Sequence, residues 1–310
     1  MVSAKPLISV IIPTFNSGRT ISQCLDSLLQ QDYGNFEVIV VDGGSVDETI
    51  RIVDFARVKV IHSKRNVTGY TRQLGVENSV GEIIAFIDAD IILPDKSWLS
   101  RMLDQLLKAT AQDNHVTAIF SLWKYSREEK GARRYTTLYC NFILRRNGIL
   151  RNGDLLKTSA WGTGETLILR RVIEAVGGFN RNVHYYDDSE IRGRMAANGN
   201  IFILSTSNLD AVTHLQADSF SAYLRKFYLM SVLGALQSGG EMNPFREMLS
   251  VPWSVLCMIQ EISRDRDPVW LIHPVLQVAR SIIRSLALKR YATCAAVSRS
   301  LIGGPRGAGG

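Results

Sequence analysis

The sequence predicts an α/β fold in which helices cover both faces of a mostly parallel sheet. Short apolar strands alternate with amphipathic helices through the first half of the 310 residues, as in parallel sheets that are buried on both faces. Carboxylates directly follow two of the apolar runs, at the strand ends where such sheets bind ligands. A composition of 46% hydrophobic and 21% charged residues is typical of a globular chain and excludes a disordered one.

The first elements follow from hydrophobic periodicity. Residues 7–12, LISVII, form a continuous apolar run that predicts the first strand. The next segment, RTISQCLDSLLQQ, carries apolar residues at helical spacing. FEVIVVD, which ends at Asp42, predicts the second strand, and SVDETIRIVDFA predicts a helix with Ser45 as its N-cap.

The next elements extend the sheet. VKVIH predicts a third strand, TGYTRQLGVENSV a helix, and GEIIAFIDAD a fourth strand with Asp88 and Asp90 at its tip. The turn PTFNSG follows the first strand. Because ligands of such sheets bind at the carboxyl ends of the strands, we expect this turn, Asp42 and the Asp88/Asp90 pair to face one crevice.

The second half of the chain predicts a change of architecture. TLILRR, NIFILST and DAVTHL predict strands around short helices, and the pattern is helical from about Phe220 onward. We therefore predict one domain over residues 1–218, a helical extension over 219–302 and a disordered tail over 303–310.

The spacing of Asp88 and Asp90 is the most specific chemical signal in the sequence. Two carboxylates this close repel each other, and a hard dication between them would remove that repulsion. The Asp-X-Asp pattern therefore indicates Mg²⁺ or Mn²⁺, with water and phosphate oxygens as further ligands. A loop that carries two acids by chance is the alternative, and the position after a buried strand, in line with Asp42, favours the metal.

Five motifs in a fixed order carry a family resemblance over roughly residues 6–215. They are ISVIIPTFNSG, VIVVDGGSVDET, GYTRQLGVENSVGEIIAFIDAD, VGGFN and YDDSEIRGRMAANG. Together they resemble the family 2 glycosyltransferases of the GT-A fold. The resemblance implies a glycosyltransferase, of the hexosyltransferase type, that moves a sugar from a UDP- or GDP-linked donor with inversion at the anomeric carbon.

The resemblance implies a nucleotide-sugar pocket at the edge of the sheet. The positions that match the family's nucleotide-sugar contacts are Pro13, Thr14, Asn16, Asp42, Arg72, Asp88 and Ala89. Turn chemistry alone would also explain Pro13 and Asn16. Two positions depart from the family pattern, since Gly43 stands where an acid is usual and Gln73 where Asn often follows the Arg.

The resemblance also assigns the metal ligands and the general base. Asp90 and His214 match the metal positions, although a lone histidine after a strand also fits ordinary packing. Asp188 matches the catalytic base, which would accept the proton of an acceptor hydroxyl as it attacks. An acidic first turn of a helix is the alternative for this cluster, and it explains a Glu190–Arg194 pair well.

Residues between these motifs are expected to contact the acceptor and the transferred sugar. They are Trp161, which could stack on a sugar ring, Gly164, Glu165 and Asp187. The acceptor expected from the resemblance is a glycan or a lipid-linked hydroxyl or phosphate. Packing of Trp161 in the core is the alternative for that residue.

Charge and composition bear on the partners. The net charge of +7 indicates an anionic partner, and no recognition motif supports nucleic acid. Arginines mixed with apolar residues after Asp267 predict helices that contact a membrane surface peripherally, pack on the sheet or form a homodimer. With no visible signal peptide and scattered cysteines, we expect a cytoplasmic location, either free or peripheral on the cytoplasmic face of the membrane.

Two other classes of protein fit part of the pattern. A nucleotidyltransferase would also use paired acids and Mg²⁺, but it would release pyrophosphate and would not need Asp188. A non-catalytic module could bind a nucleotide or a glycan, although the complete set of acids argues against it.

Overall fold

The structure is a computed structural model, and it describes residues 5–56, 58–124, 131–146, 155–158, 162–215, 219–237 and 251–302. The chain divides into two compact units. The first contains Met1–Arg127 and Thr137–Gln216, and the second contains Glu128–Thr136 and Ala217–Gly310. The division at residue 218 stays a prediction, and the predicted tail lies outside the described residues.

An eight-stranded sheet forms the centre of the first unit. Its strands are β1 (Ile8–Thr14), β2 (Phe36–Asp42), β3 (Lys59–His62), β4 (Ile83–Ile87), β6 (Val116–Ser121), β8 (Leu155–Thr158), β9 (Glu165–Leu169) and β10 (Ile201–Ser205). Their order is β3-β2-β1-β4-β9-β6-β10-β8. Pairing is parallel from β3 to β4 and between β6 and β10, whereas β9 and β8 run antiparallel to their neighbours. The predicted mostly parallel sheet is therefore confirmed.

A smaller three-stranded sheet contributes to the same unit. It contains β5 (Ile91–Ile92), β7 (Trp123–Lys124) and β11 (Val212–His214), in the order β5-β11-β7. β5 and β11 are antiparallel, and their register places His214 opposite Ile91. This pairing brings the end of DAVTHL next to the Asp88/Asp90 turn, although the two segments are far apart in sequence.

Helices of the first unit pack around the central sheet. They are α1 (Ile21–Leu29), α2 (Thr49–Phe55), α3 (Thr68–Glu77), α4 (Trp98–Gln112), α6 (Arg170–Ala175) and α7 (Asp187–Ala197). The predicted apolar face of α1 is buried at Ile21, Cys24, Leu25 and Leu28. The predicted strand TLILRR is shorter than expected, because α6 begins at Arg170.

Ser45 does not cap α2, which corrects the sequence-based prediction. That helix begins only at Thr49. The Ser45 hydroxyl donates to the carboxylate of Asp42 and accepts the backbone N–H of Asn16 at 2.8 Å. Because Asn16 lies 29 residues earlier in the chain, a pattern of neighbouring residues could not reveal this competing use of the hydroxyl.

Helices make up the described part of the second unit. They are α8 (Phe220–Gln237), α9 (Val251–Asp265) and α10 (His273–Ile302), with a short 3₁₀ turn over Pro268–Ile272 before α10. A further helix, α5 (Gly131–Arg146), begins in the second unit and continues in the first. The predicted helical character after Phe220 is confirmed for the described residues.

Candidate active site

The ends of three neighbouring parallel strands form the candidate site. β1 lies between β2 and β4, and the register pairs Thr14 with Asp42 and Ile11 with Phe86. The three strands consequently end at the same edge of the sheet. The turn after β1, the carboxylate of Asp42 and the Asp88/Asp90 turn therefore lie side by side, as expected.

Hydrogen bonds join the turns that follow β1 and β2. Asn16 adopts a left-handed backbone conformation (φ 50°), and its side-chain oxygen accepts the N–H of Val46 at 2.9 Å. The carboxylate of Asp42 is buried and accepts the backbone N–H groups of Gly44 and Ser45. Asp42 thus determines the shape of the turn after β2, where Gly44 has a φ of +94°.

Asp88 and Asp90 each have a cationic or imidazole group as neighbour. Asp88 Oδ1 accepts a hydrogen bond from Arg72 Nη2 at 2.9 Å, and Asp90 Oδ2 lies 3.0 Å from His214 Nε2. The backbone of Asp88 is held by Gly164, whose carbonyl accepts the Asp88 N–H at 2.9 Å. The two carboxylates therefore avoid mutual repulsion by contacting different partners, whereas the sequence suggested one cation between them.

Arg72 bridges the two carboxylate clusters of the sequence. Besides Asp88, its guanidinium donates to Asp187 Oδ2 at 2.6 Å. Only 6% of Arg72 and 1% of Asp187 are exposed to solvent. Burial lowers the pKa of Arg72, but the carboxylates of Asp187 and Asp88 more than offset this and raise the pKa above its usual value. Arg72 is consequently a permanent cation that joins the Asp88 turn to the start of α7.

The N-terminus of α3 holds the segment that leads to α7. The Thr68 hydroxyl donates to Asp187 Oδ1 at 2.7 Å and accepts the N–H of Tyr185 at 2.9 Å. The Thr68 N–H donates to His184 Nδ1 at 3.1 Å. Tyr185 has a φ of 69°, which is rare for a bulky residue and is maintained only by the surrounding contacts.

Sequence reasoning did not identify Thr68, His184 or Gln73 as parts of the site. Gln73, the departure from the family pattern, accepts the N–H of Phe179 at 2.8 Å through its side-chain oxygen and so holds the VGGFN turn. The only sequence signal at Thr68 was its position at the start of a predicted helix. Its partners lie 116 to 119 residues away, so periodicity could not have found them.

Close backbone packing at Gly69 leads to a prediction about stability. A Cβ on Gly69 would lie 2.2 Å from the Asn180 carbonyl oxygen and 2.9 Å from that of Val183. We expect Gly69→Ala to lower the free energy of unfolding by about 1–3 kcal/mol, because two backbone segments must separate. Urea unfolding followed by circular dichroism measures the change.

Gly193→Ala is the matched control for this prediction. Gly193 lies within α7, and among the described residues no atom beyond the helix's own backbone and the two chain neighbours lies within 4 Å of a Cβ built there. The alanine should therefore stabilise the protein by up to about 1 kcal/mol through helix propensity. Equal effects of the two substitutions would show that α3 does not pack closely on residues 180–183.

Asp188 lies in the first turn of α7, beside the Arg72–Asp187 pair. Burial raises the pKa of Asp188, and the Asp187 carboxylate raises it further, while Arg72, the Ser189 N–H and Arg192 act in the opposite direction. A carboxylate with a raised pKa is a stronger proton acceptor. The neighbouring Glu190 and Arg194 form a two-point ion pair, with N–O distances of 2.8 and 2.7 Å, which confirms the structural interpretation of that pair.

Glu165 and Gly164 lie directly beside the Asp88 turn. A Cβ on Gly164 would lie 3.0 Å from Asp88 Oδ2, so glycine permits this approach. Glu165, at the start of β9, pairs with Ile87 in the register and is 5% exposed. Burial is the main cause that raises its pKa to about 7. Trp161 lies outside the described residues.

The raised pKa of Glu165 predicts how stability depends on pH. The usual pKa, 4.5, applies to the unfolded chain, so the folded state binds this proton more tightly. The protonated carboxyl therefore stabilises the fold fully below pH 4.5, and this stabilisation is lost as pH rises through about 7. The free energy of unfolding should fall by roughly 3 kcal/mol over that range. Glu165→Gln should remove this decline. The free energy of unfolding of the wild type and of Glu165→Gln, measured in EDTA at pH 5 and pH 8, tests this prediction. An equal decline in the two proteins would contradict it.

Asp90 and His214 fit part of a divalent-metal site. A carboxylate oxygen and an imidazole nitrogen that already lie 3.0 Å apart are donors suited to Mn²⁺ and acceptable to Mg²⁺. Among the residues that the structure describes, no group of three His, Cys, Asp or Glu side chains is arranged to hold a metal. A cation here would therefore need further oxygen ligands from water or from a bound diphosphate.

Solved structures show which fold this chain shares. The mannosyltransferase PcManGT from Pyrobaculum calidifontis, in complex with GDP-Man and Mn²⁺, superimposes with a TM-score of 0.53 and 21% identity over 97% of this chain and 77% of that one. Residues 1–349 of S. aureus TarS, in complex with UDP-GlcNAc, superimpose with a TM-score of 0.53 and 18% identity over 76% and 68% of the two chains. At these identities the likeness shows the fold alone, which is the predicted GT-A fold.

The family follows from sequence. The chain belongs to glycosyl transferase family 2, because the sequence model of that family matches residues 9–176. The resemblance inferred from the five motifs is thereby confirmed.

Curated relatives are also glycosyltransferases by name. Glycosyltransferase GlyG of Streptococcus pneumoniae is 28% identical over 137 residues, which cover 42% of this chain and 44% of the relative. Glycosyltransferase AglE of Haloferax volcanii is 36% identical over 109 residues, which cover 33% of this chain and 36% of the relative. The chain thus matches less than half the length of these relatives.

Proposed function

We propose that this chain is an inverting glycosyltransferase that moves a sugar from a nucleoside diphosphate donor to an acceptor hydroxyl. One observation carries this proposal: the buried Arg72 joins Asp88, at the nucleotide edge of the sheet, to Asp187, next to Asp188. Donor-binding and proton-accepting groups would then lie on either side of one bridge. The GDP-Man and UDP-GlcNAc complexes of the neighbouring structures support a nucleotide-sugar donor.

The nucleotide would occupy the edge formed by the turns after β1 and β2. Pro13 is half-buried there, and the buried Thr14 hydroxyl has no hydrogen-bond partner among the described residues. Asn16 and Asp42 shape the turns through their own hydrogen bonds. We therefore assign Asn16 and Asp42 to positioning the pocket walls, with Ala89 and the Asp88 carboxylate at its floor.

Asp90 and His214 would hold Mn²⁺ or Mg²⁺. The role of such a cation is to neutralise charge on the diphosphate leaving group. The Mn²⁺ complex of the neighbouring mannosyltransferase supports this cofactor. The protein's own contribution is to keep the carboxylate and the imidazole close through the β5–β11 pairing, which places His214 opposite Ile91.

Asp188 would act as the general base. An acceptor hydroxyl attacks the anomeric carbon, the bond from that carbon to the diphosphate oxygen breaks, and the hydroxyl proton passes to the Asp188 carboxylate. With no covalent enzyme intermediate, the configuration inverts. The raised pKa of Asp188 suits this role. Arg72 and Asp187 would orient the start of α7 that carries it.

One of the sugar contacts expected from the sequence, Asp187, is assigned a different role. Both carboxylate oxygens of Asp187 are engaged, by Thr68 and by Arg72, so we assign Asp187 to positioning rather than to sugar binding. Glu165 and Gly164 stay the proposed sugar contacts, because they adjoin Asp88. The acceptor class we propose is a glycan or a lipid-linked molecule, in the cytoplasm or at its membrane face.

A ligand screen followed by product analysis tests the proposal. Mn²⁺ with UDP- or GDP-sugars should raise the melting temperature, and Asp90→Asn should reduce the Mn²⁺-dependent part. With a suitable acceptor or with water, the product should be a nucleoside diphosphate. Pyrophosphate as product would indicate a nucleotidyltransferase instead, and binding without any turnover would indicate a non-catalytic module.

A further inference from the structure

An apolar stripe runs along the outward face of the α10 region. Val275, Val278, Ile282 and Leu286 are 64%, 43%, 56% and 52% exposed. At about 100° per residue these four positions fall within roughly 80° of the helix circumference. Leu271, 61% exposed, precedes them in the 3₁₀ turn. Single exposed apolar residues are common, but a continuous stripe of this kind marks an interaction surface.

The opposite face of α10 is polar in part and is packed within the second unit. His273, Leu276, Arg280 and Ala287 are buried there. The Arg280 guanidinium lies 5.3 Å from the centre of the Tyr223 ring of α8. The outward stripe is therefore not the side with which the helix packs on its own unit.

A second helix of the same unit also exposes apolar side chains. On α9, Trp253, Leu256 and Ile259 are 52%, 57% and 57% exposed, while Ser254, Cys257 and Glu261 are buried. Two successive helices thus bury several polar side chains while they present large apolar ones to the outside. Exposed apolar faces on two successive helices indicate a surface that contacts a non-aqueous partner.

The charge of this region identifies the kind of partner. Residues 217–310 contain eleven Lys and Arg against six Asp and Glu, a net charge of +5. No acidic residue follows Asp267, and Lys289 is exposed beyond the end of the α10 stripe. A second copy of this chain would bring like charges together, whereas an anionic lipid surface complements both the positive charge and the apolar stripe.

We propose that the outward faces of α9 and α10 dock on the surface of an anionic phospholipid bilayer. By length and composition, one segment of the described chain, Pro268–Lys289, could cross a membrane. Arg280 and Arg284 lie within that segment and face aromatic rings of α8. A helix with an apolar outer face and a polar inner face lies in the interface instead of spanning the bilayer.

Vesicle sedimentation of the full chain tests this surface. We expect binding to vesicles of phosphatidylcholine with phosphatidylglycerol, and much weaker binding to phosphatidylcholine alone or in high salt. The double variant Val275→Ser/Ile282→Ser should bind at least about tenfold more weakly, because two branched side chains that would enter the bilayer are lost. Phe55→Ser is the control, since Phe55 is an even more exposed apolar residue (92%) and lies on α2 in the first unit.

Four outcomes of these experiments would overturn the proposal. Circular dichroism and thermal melting verify that the variants are folded. Absence of vesicle binding, or equal weakening by Phe55→Ser, would exclude the surface. Resistance to carbonate extraction would indicate a spanning helix. A dimer in sedimentation velocity that the double variant dissociates would indicate a second copy as the partner.

Discussion

Asp188→Asn is expected to lower the turnover number by about 10²–10⁴-fold, because an amide cannot accept the proton of the acceptor hydroxyl. Donor binding should be nearly unchanged, since the nucleotide edge of the sheet lies on other elements. Single-turnover kinetics and donor-induced thermal shifts measure the two quantities separately. If the variant retains normal turnover, Asp188 is not the base.

Glu190→Gln is the matched control for this substitution. Glu190 lies in the same first turn of α7, and its ion pair with Arg194 is structural. Losing that pair should lower stability but leave the turnover of the folded enzyme within a small factor. A turnover loss as large as that of Asp188→Asn would mean that the whole turn, and not one carboxylate, is required.

The same residue predicts the pH dependence of the reaction. Burial and Asp187 raise the pKa of Asp188 above its usual 3.8. Protonation of Asp188 should therefore inactivate the enzyme at a higher pH than protonation of an ordinary aspartate would. The rate therefore falls as pH falls through the raised pKa. A profile of kcat/KM measured on the acid side, with a nucleotide-binding control at each pH, checks this limb.

Arg72→Met is expected to lower the free energy of unfolding by about 3–5 kcal/mol. The reason is that Asp187 is 1% exposed and would be left buried without its cationic partner. Its remaining hydrogen bond, from the Thr68 hydroxyl, supplies only one of the two contacts that the carboxylate makes. Chemical unfolding in EDTA measures the loss without a contribution from bound metal.

A double variant separates the buried charge from the shape of the site. Arg72→Met/Asp187→Asn removes both partners of the pair, so it should recover much of the stability that Arg72→Met alone loses. Arg51→Met is the control, because Arg51 pairs with Glu48 at the surface. Loss of such an exposed ion pair should lower the free energy of unfolding by at most about 1 kcal/mol. If the double variant loses as much free energy of unfolding as the two single variants together, Arg72 and Asp187 do not act as a coupled pair.

Local sequence pattern is sufficient to predict a residue's position when that position depends only on the residue's own strand or helix. Asp42 and the Asp88/Asp90 pair could be placed at strand ends because each follows a continuous apolar run, and the observed order β2-β1-β4 brings those ends together. The Glu190–Arg194 pair was also accessible, since residues four apart on a helix are neighbours. By contrast, the sequence suggests a sugar contact for Asp187, because it does not show that Thr68 and Arg72 already donate to its two carboxylate oxygens.

The sequence by itself determined the family, the parallel sheet and the positions of the acidic strand ends, because these depend on periodicity and on ordered motifs within short stretches of chain. Only the tertiary structure decided which cation faces which carboxylate. Arg72 and Asp187 are separated by 115 residues, and their contact exists because the start of α3 packs on the segment that leads to α7. Partner choice among buried charges depends on three-dimensional proximity and desolvation, which no local pattern encodes.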